Sequence, residues 1–458
     1  MTKGFPPQIK YIVGNEACER FSFYGMRSIL VIFMVDYLRM AQPDAKAVYH
    51  LFVSAAYLFP LLGGYLSDRF LGKYRTIISL SLVYCAGHGV LALFENKQGL
   101  FWGLGLIALG SGGIKACVSA HVGDQFTDKN KHLVKKIFDI FYWAINFGSF
   151  FSTLIIPWIL PKYGPAWAFG IPGILMALAT FVFWLGRDMY VHVPPTRKTG
   201  AVGFMPVFMY ALTHRKKGRA FFEGARGKFK DSDVEAAQAA ANVFKVFITV
   251  SIFWALFDQH GSSWVLQAQQ MDLNVWGMKL EASQIAALNP IMVMMLIPIF
   301  GYGIYPGIEK LGFEMTPLRR MSAGMLLAAF SFVAVGLLQM PIDHGHRISA
   351  GWQVIPYLII TMSEVMVSIT GLEFAYTQAP LSMKSTIMSF WLLTVFAGNL
   401  VTAYISKINV FEGSAFFFFF AGLMGFVSLI FVWTASRYKV RDYFEKAGPA
   451  VDPAIAET

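Results

Sequence analysis

The stretch "NEACERFSFYGMRSILVIFMVDYL", residues 15–38, decides the fold class, because it is apolar enough to cross a membrane yet carries charges in its first half. On an α-helix at about 100° per residue, Glu16, Glu19, Arg20 and Arg27 fall within an arc of about 140°. Each charge at the centre of a bilayer costs about 2.5–3.5 kcal/mol on insertion scales. We therefore expect a membrane helix whose charged stripe lines a polar cavity. Pairing of Glu16 with Arg20, one turn apart, is the alternative.

The composition of the whole chain agrees with this interpretation. Of its 458 residues, 56% are hydrophobic and 14% are charged, whereas soluble domains carry about 25% charged residues. Apolar stretches of about 20 residues recur along the chain, as membrane helices require. They predict twelve membrane helices, at about 11–40, 47–71, 75–94, 99–121, 136–161, 165–189, 240–270, 282–308, 317–339, 352–379, 382–407 and 411–436. The sequence therefore predicts an all-α integral membrane protein.

The N-terminus and the cysteines carry no signal for processing or for metal. The opening residues "MTKGFPPQIKY" lack the short apolar core and cleavage site of a signal peptide, so we expect the first helix to be retained. Cys18, Cys85 and Cys117 fall in predicted helices and lack metal-ligand spacing. We expect each cysteine to be a small packing residue and expect no metal site.

The net charge of +11 is a topology signal rather than a sign of nucleic-acid binding. With both termini placed in the cytoplasm, most Lys and Arg residues fall in the inside segments, as the positive-inside rule requires. The opposite orientation would reverse this bias. The basic segments would also be attracted to anionic lipid.

A long polar stretch divides the predicted helices into two groups of six. We predict an N-terminal six-helix bundle over 1–190, a cytoplasmic linker over 191–239, a C-terminal six-helix bundle over 240–438 and a cytoplasmic tail over 439–458. Within the linker, "FMPVFMYAL" is too short to span and predicts an interfacial helix. The turns "GGYLSDRFLGKYRT" and "GIEKLGFEMTPLRR" occupy matching places in the two halves. Two six-helix bundles with binding between them are the layout of the major facilitator superfamily.

Polar residues near the centres of the predicted helices are the candidates for function, because ionisable groups inside a membrane are costly. The N-terminal half supplies Glu16, Glu19, Arg20, Tyr24, Arg27, His50, Tyr57, Lys115 and Asn146, and the C-terminal half supplies Asp258, Asn289, Glu364 and Glu373. Cations are concentrated in the first half, whereas the second half offers acids. A cavity between such walls suits a ligand with a carboxylate at one end and an ammonium at the other, such as an amino acid or a short peptide.

Several of these residues also have a purely structural explanation. Lys115 could extend its amine to the membrane surface, and His50 could be a paired interfacial histidine. The amides and indoles could be interhelical contacts and packing groups; these are Asn146, Asn289, Trp254 and Trp391. Glu364 lies about half a helical turn round from Glu373 and cannot share its face, so Glu364 is left without a role.

Six motifs together resemble the signature of the proton-dependent oligopeptide transporters, the POT family. They are "EACERFSFYG", "GGYLSDRFLGKYRT", "GSGGIKACVSAHVGDQF", "FYWAINFGSFFS", "FWALFDQHGSSW" and "GLEFAYTQAPLSMKS". They follow the family order from helix one to helix eleven, so the resemblance covers nearly the whole chain. The last two resemble most the mammalian intestinal and renal peptide transporters. Many bacterial members insert two extra helices between the halves, for which the segment 190–239 is too short.

The resemblance implies a role for each matching position. It implies a substrate site formed by Arg20, Tyr24, Tyr57, Lys115, Tyr142, Asn146, Trp254, Asn289, Glu373 and Trp391. Arg20 and Lys115 would meet the carboxylate of the peptide, and Glu373 would receive its ammonium. Proton coupling would involve Glu16, Glu19, His50 and Asp258, and an outer gate would pair Arg27 with Asp258.

The chain departs from the family pattern at three places. Asp258 stands where many bacterial relatives carry Glu, so its carboxylate reaches one methylene less far. Phe23 replaces the first tyrosine of the usual pair, which removes a hydroxyl and leaves the substrate preference open. The segment "KACVS" replaces the commoner "KPNVS". None of these changes alters the arrangement of charges.

The resemblance implies proton-coupled uptake of di- and tripeptides, and of peptide-like drugs, across the cell inner membrane by a monomer. Protons would be the coupling ion, with no other cofactor. Three alternatives stay open at this point: a relative that carries nitrate, hormones or glucosides, a receptor or channel, and a membrane-embedded enzyme. The acids Glu373 and Asp258 disfavour a bare anion, and no metal cluster or Ser/His/Asp arrangement is visible at one predicted depth.

Overall fold

A computed structural model describes residues 4–127, 130–195, 202–215, 220–275 and 277–440 of the chain. The predicted tail lies outside the described residues from residue 441 onward, and part of the predicted linker does so as well. The limits predicted for the linker and the tail therefore stay predictions.

The described residues are almost entirely helical. In chain order the helices of the first half are α1 (Ile9–Ile32), α2 (Gln42–Leu66), α3 (Lys73–Leu93), α4 (Lys97–Asp124), α5 (Val134–Leu185) and the short α6 (Phe204–Thr213). Those of the second half are α7 (Asp231–Phe257), α8 (Ser263–Gln269), α9 (Leu288–Pro298), α10 (Tyr305–Lys310), α11 (Pro317–Asp343), α12 (Val354–Glu364), α13 (Thr370–Thr377), α14 (Lys384–Ile408) and α15 (Gly413–Arg437). Between α8 and α9, strands β1 (Asn274–Val275) and β2 (Met278–Lys279) form a small antiparallel hairpin.

These helices account for the twelve predicted membrane crossings. Ten segments of the described chain are long and apolar enough to cross a membrane. One of them, within α5, contains two crossings, because Gly164 has a φ of 81° and breaks the helical path between them. The charges of α1 exclude it from the ten. The prediction of an all-α membrane protein with twelve spanning helices in two bundles is confirmed.

Three predicted spans of the second half are not continuous α-helices. The span predicted at 240–270 is divided by a 3-10 turn, Asp258–Gly261, into α7 and α8. A π-helical turn, Ile299–Ile304, joins α9 to α10, and another, Val365–Ile369, joins α12 to α13. Such irregular turns are frequent at functional sites within helices, because they redirect the side chains that follow.

The helix that contains the seventh predicted span begins before that span. The sequence placed it at 240, whereas α7 begins at Asp231. Asp231 and Asp233 lie in the first turn, where carboxylates favour the helix N-terminus, and the following "VEAAQAAA" consists of strong helix formers. The helix therefore extends beyond its apolar part, into the segment predicted as linker. The predicted short helix at 204–212 is present as α6.

The two bundles pack against each other mainly through α2 with α14 and α5 with α9. We call the end that holds the α1–α2 connection the distal end, and the end where α1 begins the proximal end. At the distal end the bundles are joined by Lys407 Nζ to Asp44 Oδ1 at 2.6 Å and by Gln269 Nε2 donating to Asp36 Oδ2 at 2.7 Å. At the proximal end the same helices α2 and α14 line a space of about 370 Å³ between the bundles.

Candidate functional site

A cavity of about 100 Å³ lies between the bundles. It is on the distal side of the proximal space that α2 and α14 line. Both bundles supply polar and aromatic side chains to its walls. The first half contributes Tyr24, Arg27, Tyr49, Tyr57, Tyr142 and Asn146, and the second half contributes Trp254, Asp258, His260, Asn289, Glu364 and Trp391. Nine of the sequence-predicted site residues are thus brought to one cavity; these are Tyr24, Arg27, Tyr57, Tyr142, Asn146, Trp254, Asp258, Asn289 and Trp391.

Besides Asp258, the acid that lines the cavity is Glu364 rather than the predicted Glu373. Glu364 is half-buried, and its Oε2 accepts a hydrogen bond from Asn289 Nδ2 at 2.7 Å. Glu373 is exposed and lies in a separate pocket with Tyr305 and Arg320, outside the cavity. The placement of Glu373 at the substrate site is therefore corrected. The physical reason is that the two acids lie on different faces of the same span, and only one of these faces lines the cavity.

Sequence reasoning had a signal that would have selected Glu364. The span was predicted at 352–379, which places Glu364 near its middle and Glu373 close to its proximal end. A charge near the middle of a membrane helix costs more free energy than a charge near its end, so Glu364 is the stronger candidate for a functional role. The motif match favoured Glu373, which the structure places outside the cavity.

The charged group at the start of α1 forms its own ion pairs. Arg20 Nε lies 2.7 Å from Glu16 Oε1 and 3.1 Å from Glu19 Oε2, and all three side chains are buried. None of the three lines the cavity, whereas Tyr24, one turn further along α1, does. The structure thus contains the Glu16–Arg20 pairing that the sequence offered as the alternative. Arg20 does not line the cavity, and its contact with substrate stays a prediction.

Lys115 sits against the aromatic wall of the cavity. Its Nζ lies 4.0 Å from the ring centroid of Tyr57 and 5.7 Å from that of Phe23. Both distances are typical of cation–π contacts. Tyr57 lines the cavity, whereas Phe23 is buried against Tyr24 and Phe52 and does not line it. The departure at Phe23 therefore changes the packing near the Lys115 amine more directly than it changes the cavity wall.

The ion pair predicted between Arg27 and Asp258 is present at the distal side of the cavity. Arg27 Nη2 donates to Asp258 Oδ1 at 2.5 Å, and Arg27 Nε donates to the hydroxyl of Tyr49 at 2.6 Å. Arg27 and Asp258 are both buried, which makes the pair much less screened than a surface ion pair. Arg27 comes from the first bundle and Asp258 from the second, so the pair holds the two bundles together.

The second carboxylate oxygen of Asp258 extends this contact to His50. Asn399 Nδ2 donates to Asp258 Oδ2 at 2.7 Å, and Asn399 Oδ1 lies 2.8 Å from His50 Nδ1. Because an amide oxygen only accepts, His50 Nδ1 must be the donor. In the neutral imidazole, His50 Nε2 then accepts from Ser262 Oγ at 2.8 Å. Asn399 and Ser262 were missed by sequence reasoning, since neither is ionisable.

The backbone of the 3-10 turn Asp258–Gly261 explains how Asp258 reaches Arg27. Gly261 packs directly on α2, because a Cβ built on it would lie 2.0 Å from the Tyr49 hydroxyl oxygen. This contact leaves no room for a side chain and holds the turn against the first bundle. The change from α to 3-10 geometry presents Asp258 and His260 to the cavity, whereas Gln259 is fully buried behind them.

No group of three or more His, Cys, Asp and Glu side chains within the described ranges is arranged to hold a metal ion. The site consists instead of buried charge pairs, amides and aromatic rings. A helical membrane protein with a polar cavity between two six-helix bundles, joined at one end and parted at the other, has the architecture of a secondary transporter of the major facilitator superfamily.

The comparison with known families makes this class specific. The family model described as "POT family" matches residues 74–413, so the chain belongs to the POT family. This confirms the resemblance stated from the motifs, and the family is one of transporters rather than enzymes.

Relatives in animals and solved structures support the same family assignment. The chain is 37% identical to Peptide transporter 3 of Caenorhabditis elegans over 363 residues, which are 74% of this chain and 52% of that one. It is 35% identical to solute carrier family 15 member 1 of Homo sapiens over 421 residues, which are 84% of this chain and 59% of the human one. The chain thus spans between half and three-fifths of the length of these curated relatives. An auto-inhibited POT family peptide transporter is 42% identical with a TM-score of 0.91, covering 99% of this chain and 100% of that one. The POT family transporter PepTSo is also 42% identical with a TM-score of 0.91, covering 96% and 99%.

Proposed function

We propose that this protein is a proton-coupled symporter that carries di- and tripeptides into the cytoplasm by alternating access. The observation that carries the proposal is the opposition of charge across the cavity. Glu364, held by Asn289, lines the cavity from the second bundle, whereas Lys115 contacts the ring of Tyr57, which lines the cavity from the first bundle. A ligand with an ammonium and a carboxylate at its two ends complements both walls.

The remaining walls suit the middle of a peptide. Asn146 and Asn289 offer side-chain amides, which can hydrogen-bond to a peptide backbone. Trp254 and Trp391 meet edge to face with ring centroids 6.1 Å apart and form an apolar wall for substrate side chains. The ammonium would bind Glu364 and the carboxylate would lie toward Lys115. The names of the relatives, which are peptide transporters, support this substrate class.

The bonds between the bundles at the distal end support proton coupling. A proton on Asp258 would remove the negative charge that holds Arg27 and would weaken the contact between the bundles. A second proton on His50 would add a positive charge near Arg27 and act in the same direction. The Glu16, Glu19 and Arg20 group, in the proximal half of α1, supplies further carboxylates for the same purpose.

The driving force is sufficient for concentrative uptake. One proton moving down 100 mV releases about 2.3 kcal/mol, and one unit of pH difference adds about 1.4 kcal/mol. Together they support accumulation of roughly several hundredfold per proton. The protein would work in the cell inner membrane as a monomer, with both termini in the cytoplasm. The proximal opening would then face the cytoplasm, and the structure would represent an inward-open state.

Uptake of labelled dialanine into proteoliposomes tests this function. Purified protein is reconstituted with an inward proton gradient and a negative interior, and the assay is repeated with a protonophore and with protein-free vesicles. We expect accumulation above the external concentration that collapses to equilibration with protonophore. Accumulation that is unchanged by the protonophore would reject proton coupling. If dialanine is not carried while nitrate or a glucoside is exchanged, the substrate class proposed here is wrong.

A further inference from the structure

His260 lies on the cavity wall. It takes no part in the chain of hydrogen bonds that runs through Tyr49, Arg27, Asp258, Asn399, His50 and Ser262. It is the third residue of the 3-10 turn Asp258–Gly261 and is half-buried. Its backbone carbonyl accepts a hydrogen bond from the hydroxyl of Tyr357 at 3.0 Å, which fixes the position of the turn from the second bundle. The residue is therefore held rigidly at the cavity, and the proposed transport mechanism gives it no role.

The ring of His260 is oriented by a hydrogen bond that determines its tautomer. His260 Nδ1 lies 2.7 Å from the backbone oxygen of Phe257. A carbonyl oxygen only accepts, so Nδ1 carries a hydrogen and donates it. In the neutral ring Nε2 then carries a lone pair and is an acceptor. The ring of Phe257 lies against the imidazole, with centroids 4.8 Å apart, and restricts its rotation.

The acceptor nitrogen faces the open space of the cavity. His260 is one of the lining residues, and among the described residues Nε2 has no hydrogen-bond partner. It also does not belong to the polar atoms that are enclosed without a partner. Nε2 is thus a preoriented acceptor available to whatever occupies the cavity. His260 belongs to the same 3-10 turn as Asp258, at the distal side of the cavity.

We propose that His260 is a specificity-determining residue that accepts a hydrogen bond from a side chain of the bound peptide. This inference rests on the proposed peptide transport and adds a preference to it: peptides with a hydroxyl or amide donor at one position are favoured over apolar isosteres. Backbone groups cannot supply this preference, because every peptide has them. A hydrogen bond of ordinary strength corresponds to about a three- to tenfold preference in affinity.

The test compares isosteric peptides that differ by one hydroxyl. Inhibition of labelled dialanine uptake is measured with Ala-Thr against Ala-Val, and with Thr-Ala against Val-Ala, for the unchanged protein, His260→Phe and His260→Gln. His346→Phe, on an exposed distal loop, is the matched control. We expect the unchanged protein and His346→Phe to prefer the threonine peptide about three- to tenfold at one of the two positions. His260→Phe should abolish the preference, and His260→Gln, whose amide oxygen is an acceptor, should restore most of it.

The outcomes separate this inference from the function on which it rests. A threonine preference that survives in His260→Phe, or no preference in the unchanged protein that carries dialanine, would overturn the role of His260. If His260→Phe is not recovered as folded protein, the comparison of His260→Gln with His260→Leu decides in the same way, by retained against lost preference. Failure of the unchanged protein to carry any peptide would reject the proposed function itself, and this role with it.

Discussion

Glu364 and Glu373 belong to one membrane span yet face different surroundings, because only Glu364 lines the cavity and bonds to Asn289. The π-helical turn Val365–Ile369 lies between them and separates the cavity-lining part of the span from its proximal end. The same substitution should therefore have different effects on transport at the two positions.

We expect Glu364→Gln to reduce the kcat/KM for dialanine uptake by about 10- to 100-fold, because a hydrogen bond to a charged group contributes about 1.5–3 kcal/mol. Glu373→Gln is the matched control and should stay within about twofold of the unchanged protein, since its side chain is exposed. Initial rates in proteoliposomes measure both. A larger loss in Glu373→Gln than in Glu364→Gln would return the ammonium site to Glu373.

A second prediction concerns the bond between Arg27 and Asp258. Asp258→Asn removes the charge that a proton would neutralise, and removing one partner of a buried pair costs about 3–5 kcal/mol. We expect concentrative, proton-driven uptake to be lost while counterflow exchange of labelled for unlabelled peptide continues. The ratio of the two activities is the measurement.

The control for this variant is a second ion pair that joins the bundles, Asp44 with Lys407. Asp44→Asn breaks the contact with Lys407, which is exposed and worth about 0–1 kcal/mol. It should keep both activities. Equal loss of accumulation in Asp44→Asn and Asp258→Asn would mean that any distal contact suffices and that Asp258 has no particular role in coupling.

The proposed orientation predicts which loops a membrane-impermeant maleimide reaches in intact cells. His346→Cys lies at the distal end and Lys228→Cys follows α6, and both positions are exposed. In a background without the three native cysteines, we expect His346→Cys to react in intact cells and Lys228→Cys to react only after permeabilisation. The reverse pattern would place the termini outside and contradict the positive-inside argument.

The contact between Gly261 and Tyr49 predicts a stability effect. A methyl group on Gly261 would lie 2.0 Å from the Tyr49 hydroxyl oxygen, so Gly261→Ala should destabilise the protein by about 1–3 kcal/mol. Thermal unfolding of the detergent-solubilised protein would show a lower Tm. Tyr49→Phe removes the clashing oxygen, so the double variant should lose less stability than the sum of the single variants. Strict additivity would show that the two residues do not constrain each other.

The spanning helices could be predicted from the sequence because hydropathy and length determine them. The position of Tyr24 and Arg27 on one face also followed, since α1 is a regular helix up to Ile32. The same reasoning could not place the side chains around Asp258. A helical wheel assumes a constant angle per residue, whereas the span containing Asp258 changes from α to 3-10 geometry.

The part of the site that sequence reasoning missed consists largely of neutral groups. Asn399 and Ser262 connect Asp258 to His50, but nothing in their identity separates them from ordinary interhelical contacts. His260 was quoted within a motif and given no role. Which neutral side chains meet depends on how α2, α7 and α14 pack together, and this is a property of the tertiary structure.

The pairing of α2 with α14 has a consequence for how the two ends of the molecule close. Distally these helices meet through charged and polar groups, such as Asp44 with Lys407 and His50 with Asn399. Proximally their facing surfaces are rich in apolar side chains, among them Leu61, Tyr65, Met388 and Leu392. The distal end would therefore close by attraction between charges, and the proximal end by burial of apolar surface away from water. Added salt screens the attraction between charges but not the burial of apolar surface. It would therefore shift the conformational equilibrium of the protein without substrate toward the outward-open state.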